Sequence, residues 1–291
     1  VFISIKSTTG QNLTSVQKSN LVSALTPFKV ASVTPVIVDT ETTNLILNTT
    51  VQYDSSSTTK TSTEIASLVT TTITDYNSSD LQTFNSPFRH SKLLGLIDAT
   101  DTSILNSTVT VTLGKLFTPT LNTSASYTLN FSNPLYNPHS GHNAAGGGII
   151  ASTGFYLGGV TSTEYFFDDD GNGNLRIYYL VTGVRTYFDS AAGTVDYTNG
   201  IVKINSLTMT GIGNVDGASS TQIRLTAIPS SYDIVPVRNQ ILEIDMTNTS
   251  VTASVDATAT TGVGYTTTQT ASGASTTTVS TATSTTTSSA Y

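Results

Sequence analysis

The segment from Thr61 to Tyr76 constrains the fold of this 291-residue chain more than any other stretch. Thr61 and Glu64 have the spacing of a capping box, in which each side chain accepts a hydrogen bond from a backbone N–H group at the start of a helix. Apolar residues then recur at helical spacing and predict one buried stripe. These residues are Ile65, Leu68, Val69, Ile73 and Tyr76. Because alternating strands precede and follow this helix in the chain, we expect it to lie on a sheet.

The first 117 residues have the pattern strand, helix, strand, strand, helix, helix, strand. Thr14 and Gln17 predict a second capping box, which opens a helix that ends near Leu25. Ser86 and Pro87 predict the start of the third helix, since proline lacks an N–H group that the first turn does not use. The predicted strands are 1–5, 33–38, 45–51 and 109–113. This order predicts a split βαβ, or ferredoxin-like (βαββαβ), domain with an extra helix in the second crossover.

From about residue 118 the pattern changes to short strands and turns, which predicts an all-β domain over residues 118–245. Within it, Asn199-Gly200 is typical of a hairpin turn. Residues 246–291 are nearly all Thr, Ser, Ala, Gly and Val, a composition that normally stays disordered because it buries little apolar area. Residues 251–259 nevertheless alternate apolar and polar, so we expect this tail to add strands to another copy or another protein. The predicted fold class is therefore α+β, with domains at 1–117 and 118–245 and a low-complexity tail.

Composition argues against several classes of function. The formal net charge of −7 is unfavourable for binding nucleic acid, which requires a basic face. The chain has no cysteine, and we find no apolar run near the ~18 residues of a membrane span. Charged residues make up only 11%, and Ser and Thr take their place, which suits a subunit of a large assembly or an extracellular protein. The chain begins inside a predicted strand without an initiator Met, so we expect its natural start to lie upstream.

Three groups of residues invite a chemical interpretation, and the first is an acidic turn. Asp168, Asp170 and Asn172, followed by Gly173, imitate the first half of a calcium-binding EF-hand loop. The twelfth position, which must supply a bidentate carboxylate, is Tyr179, so a hairpin turn is the favoured interpretation. Pairing of Glu164 with Asp168 or Asp169 would suit a glycosidase, but the chain has no Trp to form a sugar platform.

The second group is His139 and His142, which have metal-ligand spacing in a Gly/Pro-rich loop. The third histidine, His90, lies on a predicted helix in the other predicted domain, so we favour a loop that packs on a neighbour. Gly146-Gly147-Gly148 lacks the Lys-Ser/Thr ending of a phosphate-binding loop and is interpreted as a flexible connection. We therefore predict no catalytic, cofactor-binding or metal-binding residues, and a protein that is not an enzyme.

The third group is Arg238, Asn239 and Gln240, a polar fork just before a predicted strand. Two interpretations stay open for it. The side chains form an internal network of hydrogen bonds, or they form a contact between subunits. We name these three residues as the candidate subunit interface.

Five motifs, taken in order, resemble the baseplate wedge protein of T-even-type contractile phages. They are VFISIK (1–6), VTPVIVD (33–39), PFRHSKL (87–93), DDGNGNLRIY (169–178) and IVPVRNQILEID (234–245). The family's shared domain is called baseplate J-like, and this copy is most similar to those of cyanophages. The motifs extend through Asp245, and the last is the most specific.

The resemblance implies a structural role in the virion tail baseplate, assembled in the host cytoplasm. Paired copies would close into the inner baseplate ring and bind other wedge proteins and the sheath-initiating protein, with no nucleic acid or membrane among the partners. The family's longer N-terminal region is absent from this sequence, so contacts of that region are not implied. A tail-associated or secreted β-rich adhesin is the alternative, and a glycan hydrolase is a weaker one.

Overall fold

The computed structural model describes residues 2–5, 13–30, 33–38, 40–237 and 240–256, and the backbone of two further strands. Arg238 and Asn239, two of the three candidate interface residues, lie outside the described residues. Within the described part of the chain, no helix is both long enough and apolar enough to cross a membrane.

The described chain is mixed α and β with strands predominating, as the predicted α+β class requires. The helices are α1 (Ser15–Leu25), α2 (Ser62–Ser79) and α3 (His90–Asp98). The strands of the first half are β1 (Phe2–Ser4), β2 (Val36–Val38), β3 (Glu41–Tyr53), β4 (Ile104–Phe117), β5 (Ser124–Asn130), β6 (Ile150–Ser152) and β7 (Phe155–Leu157). The later strands are β8 (Tyr165–Asp169), β9 (Asn174–Val181), β10 (Val184–Asp196), β11 (Ile201–Ile212), β12 (Asn214–Val215), β13 (Ala218–Ser219), β14 (Ile223–Ala227), β15 (Gln240–Ile244), β16 (Ser250–Val255), β17 (Tyr265–Gln269) and β18 (Ser275–Val279).

Helix α2 begins at its predicted capping box. The Thr61 backbone N–H donates to Glu64 Oε2 (2.7 Å), and the Glu64 N–H donates to Thr61 Oγ1 (3.3 Å). Four residues of the predicted stripe are buried: Ile65, Val69, Ile73 and Tyr76. Leu68 is 36% exposed, so its assignment to the stripe was wrong. The capping box at Thr14 is also confirmed, because it opens α1.

Helix α3 begins at His90, three residues after the predicted start at Pro87. Phe88 instead pairs with Ile234 in an isolated antiparallel bridge, which holds the preceding residues extended. Asp233 replaces a local cap, because its Oδ1 accepts a hydrogen bond from the His90 backbone N–H (3.0 Å). That hydrogen bond is the main reason why the pKa of Asp233 is lowered. A distant carboxylate therefore sets the start of this helix, which local spacing does not encode.

The described residues form two compact units, each assembled from separate stretches of the chain. The first unit contains Val1–Leu47, Tyr76–His90 and Thr110–Thr249. The second contains Asn48–Asp75 and Ser91–Val109, together with residues from 250 onward. These units do not follow the boundaries that the sequence suggests at 117 and 245, which stay a prediction.

One sheet of the first unit closes on itself as a small β-barrel. Its strand order is β10-β9-β8-β7-β11, β11 pairs back with β10, and β5 is added along β11. The predicted hairpin at Asn199-Gly200 is confirmed, since Asp196 pairs with Ile201 across it. Phe155 and Phe167 stack in the barrel core with ring centroids 4.6 Å apart.

The other large sheet joins strands from distant parts of the chain in the order β15-β3-β4-β14-β6. Strands β1 and β2 pair in parallel in a separate two-stranded sheet. The predicted ferredoxin-like order is therefore not confirmed. The physical reason lies in strand length, because β1 and β2 offer three residues each whereas β3 and β4 offer 13 and 14. The long strands take their remaining neighbours from β14 and β15, far along the chain.

In the first unit, β15 lies parallel to β3 and is held by polar contacts from the end of α2. Gln240 pairs with Glu41, and Ile244 pairs with Leu45. The buried Asn77 accepts from the Ile244 N–H through Oδ1 (2.8 Å) and donates to the Ile244 carbonyl through Nδ2 (3.4 Å). Asn77 therefore satisfies both backbone groups of one strand residue.

In the second unit, the tail strand β16 pairs in parallel with residues 48–53 of β3 over six positions. The tail was expected to add a strand to another copy or another protein, whereas residues 250–255 pair within their own chain. Strands β17 and β18 pair with each other in antiparallel fashion.

The loops of the second unit are joined by an ion pair. Lys60 Nζ lies 2.5 Å from Asp101 Oδ2, and Ser103 also donates to this carboxylate through its hydroxyl and its backbone N–H. The hydrogen bond from Lys60 is the largest cause of a pKa of about 2 for Asp101, against an ordinary value of 3.8.

We expect Asn77→Ala to lower the free energy of unfolding by about 2 kcal/mol, because the buried Ile244 N–H loses its partner. Chemical denaturation of the full chain, followed by circular dichroism, measures this change. Thr74→Ala is the matched control on the same helix, since Thr74 is exposed and its hydroxyl bonds only the Thr70 carbonyl. An Asn77→Ala protein as stable as this control would contradict the assigned role.

We expect Asp101→Asn to lower stability at pH 7 by about 1 kcal/mol, a value reduced for solvent screening because the Lys60 side chain is exposed. A carboxyl whose pKa is lowered by folding stabilises the folded state above pH 4 and loses that contribution as the pH falls toward 2. The stability difference between wild type and Asp101→Asn should therefore shrink between pH 7 and pH 3. Denaturation at both pH values tests this, and a constant difference would contradict it.

Candidate functional site

Asp168 is buried near the end of β8 and is surrounded by cationic and hydroxyl groups. It accepts hydrogen bonds from Arg176 Nε (2.8 Å), Arg185 Nη1 (2.7 Å) and Tyr187 Oη (3.1 Å). Burial raises the pKa of Asp168, and these hydrogen bonds offset part of the rise. Both carboxylate oxygens are engaged by side chains of β9 and β10, so Asp168 has a structural role and does not form an open acid pair with Glu164.

The two arginines also pack on tyrosines of the opposite strand. The Arg176 guanidinium lies 4.2 Å from the ring centroid of Tyr187, and that of Arg185 lies 4.6 Å from Tyr178. Sequence reasoning missed this network. The available signal was Arg-x-Tyr, which occurs once on each side of the turn at Thr182-Gly183. In an antiparallel hairpin that symmetry brings each arginine near the other strand's tyrosine.

Asp169 is fully buried and gathers backbone donors from a neighbouring loop. Its Oδ1 accepts from the N–H groups of Ile149 and Ile150, both at 2.7 Å. Its Oδ2 accepts from Tyr197 Oη (2.6 Å) and from the Gly171 N–H (3.2 Å). Burial, followed by the hydrogen bond to this carboxylate, raises the pKa of the Tyr197 phenol. Asp169 thereby joins the loop before β6, its own turn and the end of β10.

The glycine run at 146–148 permits this close approach. Gly147 and Gly148 both have positive φ, at 94° and 66°, which favours glycine. A Cβ atom at Gly148 would lie 2.1 Å from Asp169 Oδ1, and one at Gly147 would lie 1.4 Å from Arg185 Nη1. The sequence suggested a flexible connection, but in the structure these glycines make room for charged side chains.

Asp170 closes the turn between β8 and β9. Its Oδ1 accepts from the N–H groups of Asn172 (2.8 Å) and Asn174 (3.0 Å), and Gly171 and Gly173 have φ of 71° and 101°. The strands on either side pair in antiparallel register. The hairpin interpretation is confirmed, and the position at which an EF-hand requires its bidentate carboxylate lies within β9.

A loop packs over this turn and borders an open cavity of about 690 Å³. We call loop 134–148 together with turn 170–173 the loop–turn site. Ser140 Oγ donates to Asn172 Oδ1 (2.5 Å), and the Gly141 N–H donates to the Gly171 carbonyl (3.0 Å). The cavity is lined by Pro134, Leu135, Asn137, His139, Ser140, Gly171, Asn172, Gly173, Val195, Asp196, Tyr197 and Thr198. The sequence suggested neither the cavity nor the contact between loop and turn.

The structure brings two of the three histidines together within this site. His142 Nδ1 lies 3.2 Å from His139 Nε2, and the ring centroids are 4.9 Å apart. His90 lies instead against Tyr232, with ring centroids 5.2 Å apart. Within the part of the chain that the structure describes, no group of three or more His, Asp or Glu side chains is placed to hold a metal ion.

Of the candidate interface residues, Gln240 is described and fully buried. Its Nε2 donates to Thr43 Oγ1 and to the Phe131 carbonyl (3.4 Å), and its Oε1 accepts from the Val237 N–H (3.1 Å). These contacts favour the internal network for Gln240. The interface interpretation stays a prediction for its two neighbours.

Comparison with known families finds similarity in the first part of the chain. Residues 1–38 match the family described as baseplate structural protein gp6, C-terminal domain I, and residues 42–116 match C-terminal domain III. The class of protein to which this region is similar is therefore a structural protein of a phage baseplate.

The curated relative is the baseplate wedge protein gp6 of Enterobacteria phage T4, which is 28% identical over 110 residues. The aligned segment covers 38% of this chain and spans only 17% of the relative's length. These similarities support the recognition of a baseplate wedge structural protein. The same similarities confirm the predicted location in a virion tail baseplate.

We expect Asp169→Ala to lower the free energy of unfolding by about 3 kcal/mol, because it leaves three buried N–H groups and the Tyr197 hydroxyl without their acceptor. Tyr197→Phe removes only one of these donors and should cost about 1 kcal/mol. Urea denaturation monitored by near-UV circular dichroism compares the two variants. Equal effects, or a smaller effect for Asp169→Ala, would show that the backbone contacts carry little stability.

Proposed function

We propose that this chain is a structural subunit of a contractile-tail baseplate wedge. In this proposal paired copies close into the inner baseplate ring, and the ring binds other wedge proteins and the sheath-initiating protein. The observation that carries the proposal is the ordered match of residues 1–38 and 42–116 to two gp6 C-terminal domains. The baseplate J-like assignment and the cyanophage-like character form part of the same proposal.

The segment before Arg238 supports a contact role at this place. Along residues 234–237 the side chains alternate, with Ile234 buried and Val235 and Val237 exposed by 52% and 40%. Asn133 fixes the backbone, since its Oδ1 accepts from the Val235 N–H and its Nδ2 donates to the Val235 carbonyl. Two exposed valines on a fixed backbone form a small apolar ridge, and Arg238 is the next residue in the sequence.

The proposal includes a role without catalysis. Asp168 and Asp169, the two possible partners of Glu164 in a glycosidase pair, are instead committed to internal hydrogen bonds. The part of the tail that follows β16 is still proposed to add strands to another copy or another protein. The predicted domain boundaries at 1–117 and 118–245 form part of the same proposal.

We expect the double change Val235→Asp and Val237→Asp to weaken self-association by at least about tenfold, because two charges would be buried at a contact. Arg238→Ala should also weaken self-association. Sedimentation velocity over a concentration series measures the pairing, and circular dichroism checks the fold. Substitution of exposed residues should leave the fold intact.

The matched control is Val160→Asp, which changes an exposed valine (49%) on a different loop and should leave pairing unchanged. A wild-type chain that stays monomeric at high concentration would count against the ring. Binding of a glycan array by that monomer would favour the adhesin, and turnover of a glycan would favour the hydrolase.

A further inference from the structure

The pair His139 and His142 has a geometry that the sequence spacing alone does not determine. The two facing nitrogens, Nε2 of His139 and Nδ1 of His142, are 3.2 Å apart. Two nitrogen ligands of one tetrahedral zinc ion, each about 2.0–2.1 Å from the metal, are separated by about 3.3–3.4 Å. The two nitrogens share a hydrogen bond in this structure, and their separation is close to the span that a single chelated cation requires.

The tautomer of His139 is suited to this role. His139 Nδ1 lies 3.1 Å from the Ser140 carbonyl oxygen, which can only accept a hydrogen bond. The proton is therefore assigned to Nδ1, and Nε2 accepts a hydrogen bond from His142 Nδ1. A metal ion replaces this hydrogen bond when His142 carries its proton on Nε2 instead, which leaves a lone pair on each of the two facing nitrogens. A hydrogen bond from the far ring nitrogen to a carbonyl is the usual way in which a metal-binding imidazole is oriented.

The loop that carries the pair is fixed in place. The Gly141 N–H donates to the Gly171 carbonyl, and the His142 N–H donates to the His139 carbonyl (3.1 Å). The His142 ring packs edge-on against Tyr136 with centroids 5.2 Å apart. A site on such a loop loses little conformational entropy when a ligand binds.

The adjoining cavity offers further polar groups to a hydrated cation. Asn137 Oδ1 lines it, is buried and has no hydrogen-bond partner among the described residues. Asp196 also lines the cavity, and hydrogen bonds from Asn199 lower its pKa, so that its carboxylate is charged at neutral pH. None of the lining residues is Lys or Arg. An acceptor without a donor, in a cavity that also contains a carboxylate, is suited to the water shell of a metal ion.

We propose that His139 Nε2 and His142 Nδ1 chelate one divalent transition-metal ion of the zinc, nickel or copper class. Imidazole nitrogen is a favoured ligand of these ions, whereas calcium and magnesium prefer oxygen. Water completes the coordination on the side of the cavity, where Asn137 provides an acceptor. This site is separate from the apolar ridge at Val235 and Val237, and it does not depend on ring formation.

The test is isothermal titration calorimetry of the full chain, without a histidine tag, with zinc chloride, nickel chloride and calcium chloride. We expect one zinc or nickel ion per chain and no heat from calcium. His139→Ala and His142→Ala should each lower the affinity by at least about tenfold. His90→Ala is the matched control and should bind as the wild type does.

A second measurement requires no variant. Imidazole ¹⁵N NMR of the wild-type chain should show zinc-dependent shifts at two of the three histidines, with the third unchanged. The proposal is overturned if zinc and nickel give no saturable binding, if all three histidines shift, or if His90→Ala loses as much affinity as the loop variants.

Discussion

The pairing of β15 with β3 is the constraint on which much of the first unit depends. The two strands come from opposite ends of the described chain and lie in parallel, an arrangement that a tight turn cannot provide. Strand β15 is almost wholly buried, so its polar groups require internal partners. Gln240 bonds Thr43, and Asn77 satisfies both backbone groups of Ile244. The buried strand is thus tied to β3 by its ladder and to α2 by a side chain.

The requirement that buried polar groups have internal partners also applies to Asp168 and Asp169 in the barrel. This chain has no cysteine, so loops cannot be joined by disulfides. Buried carboxylates perform the joining instead, since Asp168 binds two strands through Arg176 and Arg185, and Asp169 binds a loop through backbone N–H groups. Charged hydrogen bonds of this kind are the stronger ones, and they leave the loop–turn site well supported.

These features suit a protein that contacts other proteins through surfaces of fixed shape. The chain has few charges on its surface, and it exposes apolar side chains at defined places. One such place is the ridge at Val235 and Val237, and another is the hairpin of β9 and β10, where Val184 and Phe188 are 65% and 57% exposed. Exposed apolar groups on a rigid backbone are typical of surfaces that meet other proteins. The similarity to domains of gp6, a structural protein of a phage baseplate, agrees with this interpretation of the exposed apolar residues.

The sequence alone determined the features that depend on near neighbours in the chain. The capping box at Thr61, the turn at Asp170 and the hairpin at Asn199-Gly200 each join residues a few positions apart, where backbone geometry fixes the distances. The α+β class followed from the same local periodicities.

Only the tertiary structure decided which strands became neighbours and which side chains met. Helix α3 starts at His90 because Asp233 reaches it, and β16 pairs with β3 of its own chain. Gln240 is buried, and His139 lies within hydrogen-bonding distance of His142. Many strands have compatible patterns, and the pairing that forms is the one that buries the most apolar area while satisfying every backbone group. That balance is a property of the whole fold, and no short stretch of sequence contains it.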